Sequence, residues 1–412
     1  MLAQNSPDST WICCQIGARE HYAIPRALHQ QGQLEYLITD TWIEPNSPLN
    51  RLPKPYLANL RERFHPELNN VLVYSFNQSL FQFELTQKLR QSRGWKKIIA
   101  RNDWFQDRAL KVLKKYPPKL NSKITIFAYS YAALKLFRYA KNRGWQTVLG
   151  QIDPGITEEQ IVNQEHLKHP NYQSHWQPAP FEYWSDWKQE CNLADKIIVN
   201  SAWSKNALQA NTIAQDKIDI VPLAYQSPKV GQDFIRTYPR IFTHQRPLRV
   251  LFLGQIILRK GIADLIKAAE VLQDEPIEFW LVGSLGITQL ENISPNIKLP
   301  GAVPRSVTAQ YYQQADIFLF PTLSDGFGLT QLEAQAWQLP IIASENCGAV
   351  VKNKINGLIL RELTPDAIAN ALRFCQQNPQ QLQEFATQSY ITSEFSLQNL
   401  SSRLKAITHG CT

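Results

Sequence analysis

The stretch Leu253-Gly254-Gln255-Ile256-Ile257-Leu258-Arg259-Lys260-Gly261 joins an apolar run to a helical one through a loop bracketed by glycines. Leu248–Leu253 reads as a buried strand, and Ile262–Leu272 carries helical spacing. Glycine lets a backbone approach a ligand closely, and the free N–H groups at a helix start attract anions. Arg259 and Lys260 stand just before that start and supply two positive charges. A phosphate-binding βα turn is one reading; an ordinary turn with solvated cations is the other.

The same alternation extends in both directions. Downstream, Phe279–Val282, Ile317–Phe320, Leu339–Ala343 and Leu358–Leu360 are short apolar strands. Upstream, Trp11–Ile16, Leu34–Thr39, Val71–Phe76, Ile124–Tyr129, Thr147–Ile152, Ile197–Asn200 and Ile218–Pro222 read alike. Helical stretches lie between several of them: Arg19–Gln31, Leu80–Ser92, Tyr131–Arg143 and Ser204–Asn211. Such alternation specifies βαβ units and mostly parallel sheets. The pattern pauses between about Tyr225 and Pro247, and 412 residues allow two or three domains. The expected class is α/β, with two doubly wound, Rossmann-like domains facing across a cleft. They span 1–225 and 248–386, joined by a linker over 226–247. A helical segment over 387–412, with Leu397, Leu400, Leu404 and Ile407 near helical spacing, is expected to pack back on the first domain.

A second site follows the strand at 317–320: Phe320-Pro321-Thr322-Leu323-Ser324-Asp325-Gly326-Phe327-Gly328-Leu329-Thr330-Gln331-Leu332-Glu333. With a helix starting near Gly328, Asp325 and Glu333 are too far apart for a compact acid/base pair. They suit an extended ligand with hydroxyls at both ends and phosphates between, met by the N–H groups of Gly328, Leu329 and Thr330. A nucleotide-sugar has that layout. A turn aspartate and a first-turn glutamate are the plainer alternative.

Charge is uneven. Residues 51–150 hold 20 Lys+Arg against 5 Asp+Glu, whereas residues 251–350 are net negative, so the chain is no uniform polycation. The six cysteines form no C-x-x-C pair, adjacent Cys13 and Cys14 should face opposite sides of a strand, and a reducing cytoplasm is expected. No apolar run reaches the roughly 18–20 residues of a membrane span, and no leader is visible at Met1–Trp11.

Residues 197–360 resemble the retaining glycosyltransferases of the GT-B fold, family 4, also called glycosyl transferases group 1. The carrying residues are Gly254 through Gly261, Leu281-Val282-Gly283, Leu299 through Val303, Ala315 through Pro321, Asp325 through Leu329 with Glu333-Ala334, and Asn356-Gly357. Ile197 through Ser201 and Val221-Pro222-Leu223 match the end of the family's first domain. Two departures stand out. Gln255 replaces a frequent arginine, and Asp325 makes the family's E-x7-E a D-x7-E, which bears on sugar identity. The resemblance implies that Glu333 binds the donor ribose and Asp325 the transferred sugar. Arg259 and Lys260 would hold the diphosphate near Gly254, with backbone at Gly326, Phe327, Gly328, Leu329 and Thr330, and Val303 would lie near the base. No D-x-D occurs, so no metal is expected and the leaving group relies on cations and helix dipole.

On the acceptor side, Gly17 and His21 follow the first strand. Asp153 stands where relatives carry a catalytic histidine, although Asp153-Pro154-Gly155 is also good turn sequence. Glu165, His166, His169 and His175 have some metal-ligand character, but a solvated loop is the expectation. Trp176, Trp184 and Trp187 suit either sugar stacking or a core. The basic, tryptophan-bearing stretch 80–115 suits an anionic membrane surface and so a glycan or lipid-linked acceptor, or else a solvated helix face; no nucleic-acid module accompanies it. A nucleotide-sugar epimerase of the same fold and a non-catalytic nucleotide-sugar-binding protein are the alternatives.

Overall fold

The computed structural model describes residues 9–47, 63–118, 123–172, 176–228, 231, 233–288 and 293–409. His175, singled out above, and Cys411, one of the six cysteines, lie outside them. The first half forms a seven-stranded parallel sheet in the order β3-β2-β1-β4-β5-β6-β7. Its strands are β1 (Ser9–Gln15), β2 (Leu34–Thr39), β3 (Val73–Ser75), β4 (Lys123–Tyr129), β5 (Gln146–Gly150), β6 (Lys196–Val199) and β7 (Ile218–Ile220). A second parallel sheet runs β10-β9-β8-β11-β12-β13. Its strands are β8 (Leu248–Leu253), β9 (Ile277–Val282), β10 (Ile297–Gly301), β11 (Ile317–Phe320), β12 (Ile341–Ser344) and β13 (Gly357–Leu360).

Both sheets are doubly wound, and the side chains of their central strands divide between two cores. Cys13 packs with Trp11 and Leu37 on one face of the first sheet, and Cys14 with Ile12 and Ile126 on the other. All five cysteines among the described residues are buried and free. Val250 and Phe252 face one core of the second sheet, and Leu251 the other. Strands buried on both faces read as near-continuous apolar runs, which is why the sequence marks them so clearly.

The covering helices are α1 (Ala23–Gln30), α2 (Asn77–Leu89), α3 (Gly94–Lys115), α4 (Leu134–Lys141), α5 (Ile156–Lys168), α6 (Phe181–Leu193) and α7 (Ala202–Ala210) on the first sheet. The second carries α8 (Ile262–Val271), α9 (Arg305–Gln314), α10 (Thr330–Gln335), α11 (Pro365–Gln377) and α12 (Pro379–Gln388). The last helix, α13 (Leu397–His409), lies on α1: Leu400 and Leu404 share a core with Ala27 and Leu28, and Ser401 Oγ donates to Ala27 O at 2.9 Å. Much of 226–247 is docked rather than free. Arg236 is buried and donates to the carbonyls of Tyr312 at 2.6 Å and Trp337 at 2.8 Å, and Arg246 pairs with Asp316 at 2.7 Å.

The expected helix Arg19–Gln31 is broken at its start. Glu20, His21 and Tyr22 all have positive φ, of 52°, 52° and 58°, and regular helix begins at Ala23. Left-handed backbone at three successive non-glycine residues costs roughly 1–2 kcal/mol each. The segment carrying Glu165, His166 and His169 is helical rather than the expected loop, with His169 closing α5.

Candidate functional site

Glycines set the position of the two cations. After β8, an ideal Cβ on Gly283 would fall 1.7 Å from Gly254 O, so the loops leaving β8 and β9 touch backbone to backbone. Gly261 has φ +73°, and a Cβ there would fall 2.0 Å from Pro321 O. The start of α8 is therefore pressed against the end of β11. Arg259 and Lys260, in the tight turn before Gly261, lie over the loop that follows β11. Arg259 Nη1 donates to Ser324 O at 2.7 Å. The Lys260 ammonium pairs with Asp325 Oδ2 and sits 4.8 Å from the Phe320 ring centroid. Asp325 Oδ1 accepts from Phe327 N at 3.2 Å, and Arg259 Nη1 lies 3.7 Å from Oδ2. Burial pushes the Asp325 carboxyl up, but Lys260 and then Arg259 outweigh it and hold it below the usual range.

The first half answers with a carboxylate that the sequence reading missed. Glu158, in the first turn of α5, accepts from Ser324 Oγ at 2.9 Å and from Arg259 Nη1 at 3.3 Å. Burial raises its pKa to about 7; Arg259 opposes the rise, and Asp153 and Asp325 add to it. The only hint in the sequence was an adjacent acidic pair, Glu158-Glu159, straight after the Asp-Pro-Gly turn. The two halves meet beside it: a Cβ on Gly326 would lie 2.3 Å from Ile152 O. Asp153 Oδ1 accepts from Tyr131 Oη at 2.5 Å, Gln151 Nε2 at 3.1 Å and Gly155 N at 2.9 Å. Asp153 therefore closes its turn and also faces the cleft.

Glu333 lies elsewhere. Its Oε2 accepts from Tyr312 Oη at 2.9 Å, and Oε1 is 3.9 Å from Arg305 Nη2. Arg305 reaches across to His21, whose Nε2 is 2.7 Å from Nη2. These residues line an interdomain cavity of about 320 Å³ with Glu20 and Tyr225. The geometry thus brings His21 to Glu333, and Asp153 to Asp325 through Glu158 and Arg259. Gly17 donates its N–H to the buried Asp40 at 2.8 Å. Val303 packs at the edge of the core that holds Phe327, whose side chain is buried, so Phe327 offers the cleft only backbone.

Between the two clusters runs the turn Gly326–Leu329. Gly328 has φ +82°, and a Cβ would fall 2.5 Å from the Phe320 ring. Among the described residues, the N–H groups of Gly328, Leu329 and Thr330 donate to no protein acceptor. The helix behind them is only six residues long, which leaves most of the positive charge to Arg259 and Lys260.

Glu165 is taken up by Lys168 at 2.6 Å and His169 at 3.6 Å. Trp187 is fully buried, whereas Trp176 and Trp184 line a second cavity of about 250 Å³ beside Arg259. Part of the basic stretch is structural. Arg101 and Arg63 neutralise the buried Asp40 at 2.7 and 3.2 Å, and Lys97 pairs with Glu84 at 2.7 Å. Lys88, Arg90, Arg93 and Lys96 are exposed.

Residues 247–378 match the family described as Glycosyl transferases group 1. The amylovoran biosynthesis glycosyltransferase AmsK of Erwinia amylovora is 28% identical over 146 residues, covering 31% of this chain and 36% of AmsK. A D-inositol 3-phosphate glycosyltransferase of Paenarthrobacter aurescens is 28% identical over 198 residues, 43% of this chain and 48% of that protein. The chain thus matches between a third and a half of these curated relatives. Over 97% of this chain and 100% of the other, the fold follows Anabaena HepE, solved in complex with UDP, with TM-score 0.59 at 14% identity. The resemblance to group 1 glycosyl transferases is borne out over the matched residues, and the architecture is GT-B.

Proposed function

We propose that the protein is a retaining, metal-independent glycosyltransferase that moves a hexose-type sugar from a nucleotide-diphosphate sugar to a hydroxyl of a glycan or lipid-linked acceptor. One observation carries this reading: Arg259 and Lys260 are held side by side at the cleft by backbone contacts that only glycine permits. Their present partners, Asp325 and Glu158, are carboxylates that a diphosphate would replace. Two cations against two phosphate charges give the leaving group a counter-charge from protein alone. Glu333, fixed by Tyr312, suits ribose hydroxyls; Asp325 suits the sugar, and Val303 the base. Asp153 suits the acceptor hydroxyl. In a front-face displacement the acceptor oxygen bonds to the anomeric carbon on the face from which the diphosphate departs, which retains configuration, and the departing phosphate oxygen takes the acceptor proton. HepE's complex with UDP supports a nucleotide donor.

No helix among the described residues is long and apolar enough to cross a membrane. For a cytoplasmic enzyme with a lipid-linked acceptor, the docking face is α2 and the start of α3. Phe81, Leu85 and Leu89 recur at helical spacing and are 72%, 50% and 77% exposed, beside Lys88, Arg90, Arg93 and Lys96. Apolar side chains rimmed by cations suit an anionic membrane surface. The test is turnover: a nucleotide-sugar with acceptor should yield a glycosylated product, and Glu333→Ala should abolish it. A changed sugar without acceptor would instead indicate an epimerase.

A further inference from the structure

The cavity of about 250 Å³ beside Arg259 lies apart from Glu333 and has its own chemistry. It is smaller than the roughly 300–1,000 Å³ of pockets that hold drug-sized ligands, which suits one sugar ring rather than a nucleotide. Its wall is aromatic: Trp95, Trp176, Tyr183 and Trp184, all part-exposed. Tyr183 is fixed by stacking on Tyr131, with ring centroids 4.8 Å apart. Its charged lining is mainly acidic, with Asp153, Glu158 and Glu159 against the guanidinium of Arg259, and the His166 imidazole stacks on Trp176 with ring centroids 5.0 Å apart. Glu159 is occupied, accepting from Trp184 Nε1 at 2.6 Å and from Ala179 N. The Asp153 and Glu158 carboxylates each commit one oxygen to the frame: Oδ1 takes all three bonds to the Asp153 carboxylate, and Oε2 both bonds to that of Glu158.

We infer that this cavity binds the acceptor as an uncharged pyranose, stacked on the aromatic wall with its hydroxyls donating to Asp153 and Glu158, and that it rejects sugars bearing carboxylate or phosphate. The identification of the ligand as acceptor rests on the transferase reading. Apolar C–H faces of a sugar lie on aromatic rings, while hydroxyls need acceptors that the frame has left over. An anionic sugar would meet like charge in a part-buried site, where the cost is several-fold in affinity at least. Arg259 lines the cavity and its Nη1 lies 3.7 Å from Asp325 Oδ2, so the cavity adjoins the carboxylate proposed to hold the transferred sugar.

The experiment is tryptophan fluorescence titration of the full chain, without donor, using methyl glucosides, galactosides and mannosides against methyl glucuronide and glucose 6-phosphate. At least one neutral glycoside should give saturable binding, with both anionic sugars about tenfold weaker or worse. Tyr183→Ala should weaken the neutral glycoside about tenfold, and Glu158→Gln should narrow the neutral-to-uronide ratio. Stabilisation by nucleotide-diphosphate sugars is followed in parallel to show that each variant is folded. An anionic sugar binding as tightly as the neutral one overturns the inference. So does an absence of neutral-sugar binding, or a Tyr183→Ala protein that binds as wild type. Failure of every nucleotide-sugar to stabilise the wild-type chain would instead count against the transferase reading and leave neutral-sugar binding to be judged separately.

Discussion

At the scale of single residues, the site is a set of charges paired with one another: Lys260 and Arg259 with Asp325, and Arg259 with Glu158. Lys260 and Asp325 satisfy each other in a place where neither is well solvated. Removing one partner of such a pair costs about 3 kcal/mol or more, so loss of activity in Lys260→Ala would by itself be ambiguous. The pair of variants Lys260→Ala and Lys260→Ala/Asp325→Asn separates the causes. Thermal denaturation should show the double variant recovering much of the lost stability. Turnover should stay at least about a hundredfold down in both, because the leaving group lacks its cation in each and the double variant also lacks the carboxylate proposed to hold the sugar. Recovery of turnover with stability would assign Lys260 a purely structural part. Glu158 gives a pH prediction. Its pKa is raised from 4.5 to about 7, so between those values the folded chain holds a proton that the unfolded chain has lost. The Glu158 contribution to stability therefore falls as pH rises across that window, opposed by His65, whose pKa burial lowers to about 4. Buried Glu190 and part-buried Glu20, both raised to about 7, act in the same direction as Glu158. Glu158→Gln should flatten the slope of melting temperature against pH in part; an unchanged slope would show that Glu158 titrates as an exposed carboxyl.

At the scale of elements, the glycines fix where loops and helices meet. Gly261→Ala meets both a positive φ and the Pro321 carbonyl, and should cost at least about 2 kcal/mol in denaturant melts. Gly326→Ala meets Ile152 O in the other half of the molecule. It should spare each core yet lower turnover by altering how the halves meet; unchanged kinetics would mean that this contact is not needed. The same elements show why some of the structure could be read from the sequence and some could not. Strands such as β8 and β11 are buried on both faces, so their apolar runs declared them. The βα turn at Gly254–Gly261 was legible because its glycines and cations are contiguous. Helix α5 was not, since only Val162 and Glu165 along it are buried and no apolar stripe marks it. β10 is an edge strand with a proline in it and little buried surface. Nor could the pairing of Glu158 with Arg259 be read, because it joins residues 101 apart across two domains. The left-handed run Glu20–Tyr22 has no sequence signature, as none of its residues is a glycine.

At the scale of the whole molecule, the charge excess of the first half divides by location. Some cations serve the fold, as Arg63 and Arg101 do around Asp40. Others lie at the far end of α3, a 22-residue helix roughly 33 Å long. Those beside Phe81, Leu85 and Leu89 make up the proposed membrane face. Vesicle co-sedimentation should show salt-sensitive binding to anionic liposomes, lost when Lys88, Arg90, Arg93 and Lys96 are neutralised together and weakened by Phe81→Ser/Leu89→Ser. Equal binding to neutral vesicles would contradict an electrostatic face. In the proposed function, the cleft holds a nucleotide-diphosphate sugar on Arg259 and Lys260 and transfers its sugar. The most direct test is to incubate the wild-type protein and the Lys260→Ala/Asp325→Asn variant with a panel of nucleotide-diphosphate sugars and neutral glycoside acceptors, and to follow release of nucleoside diphosphate. At least one donor should be turned over by the wild type into a glycosylated product with retained anomeric configuration, and the folded variant should be at least about a hundredfold slower. Equal turnover by the two proteins, or a product of inverted configuration, would contradict the account.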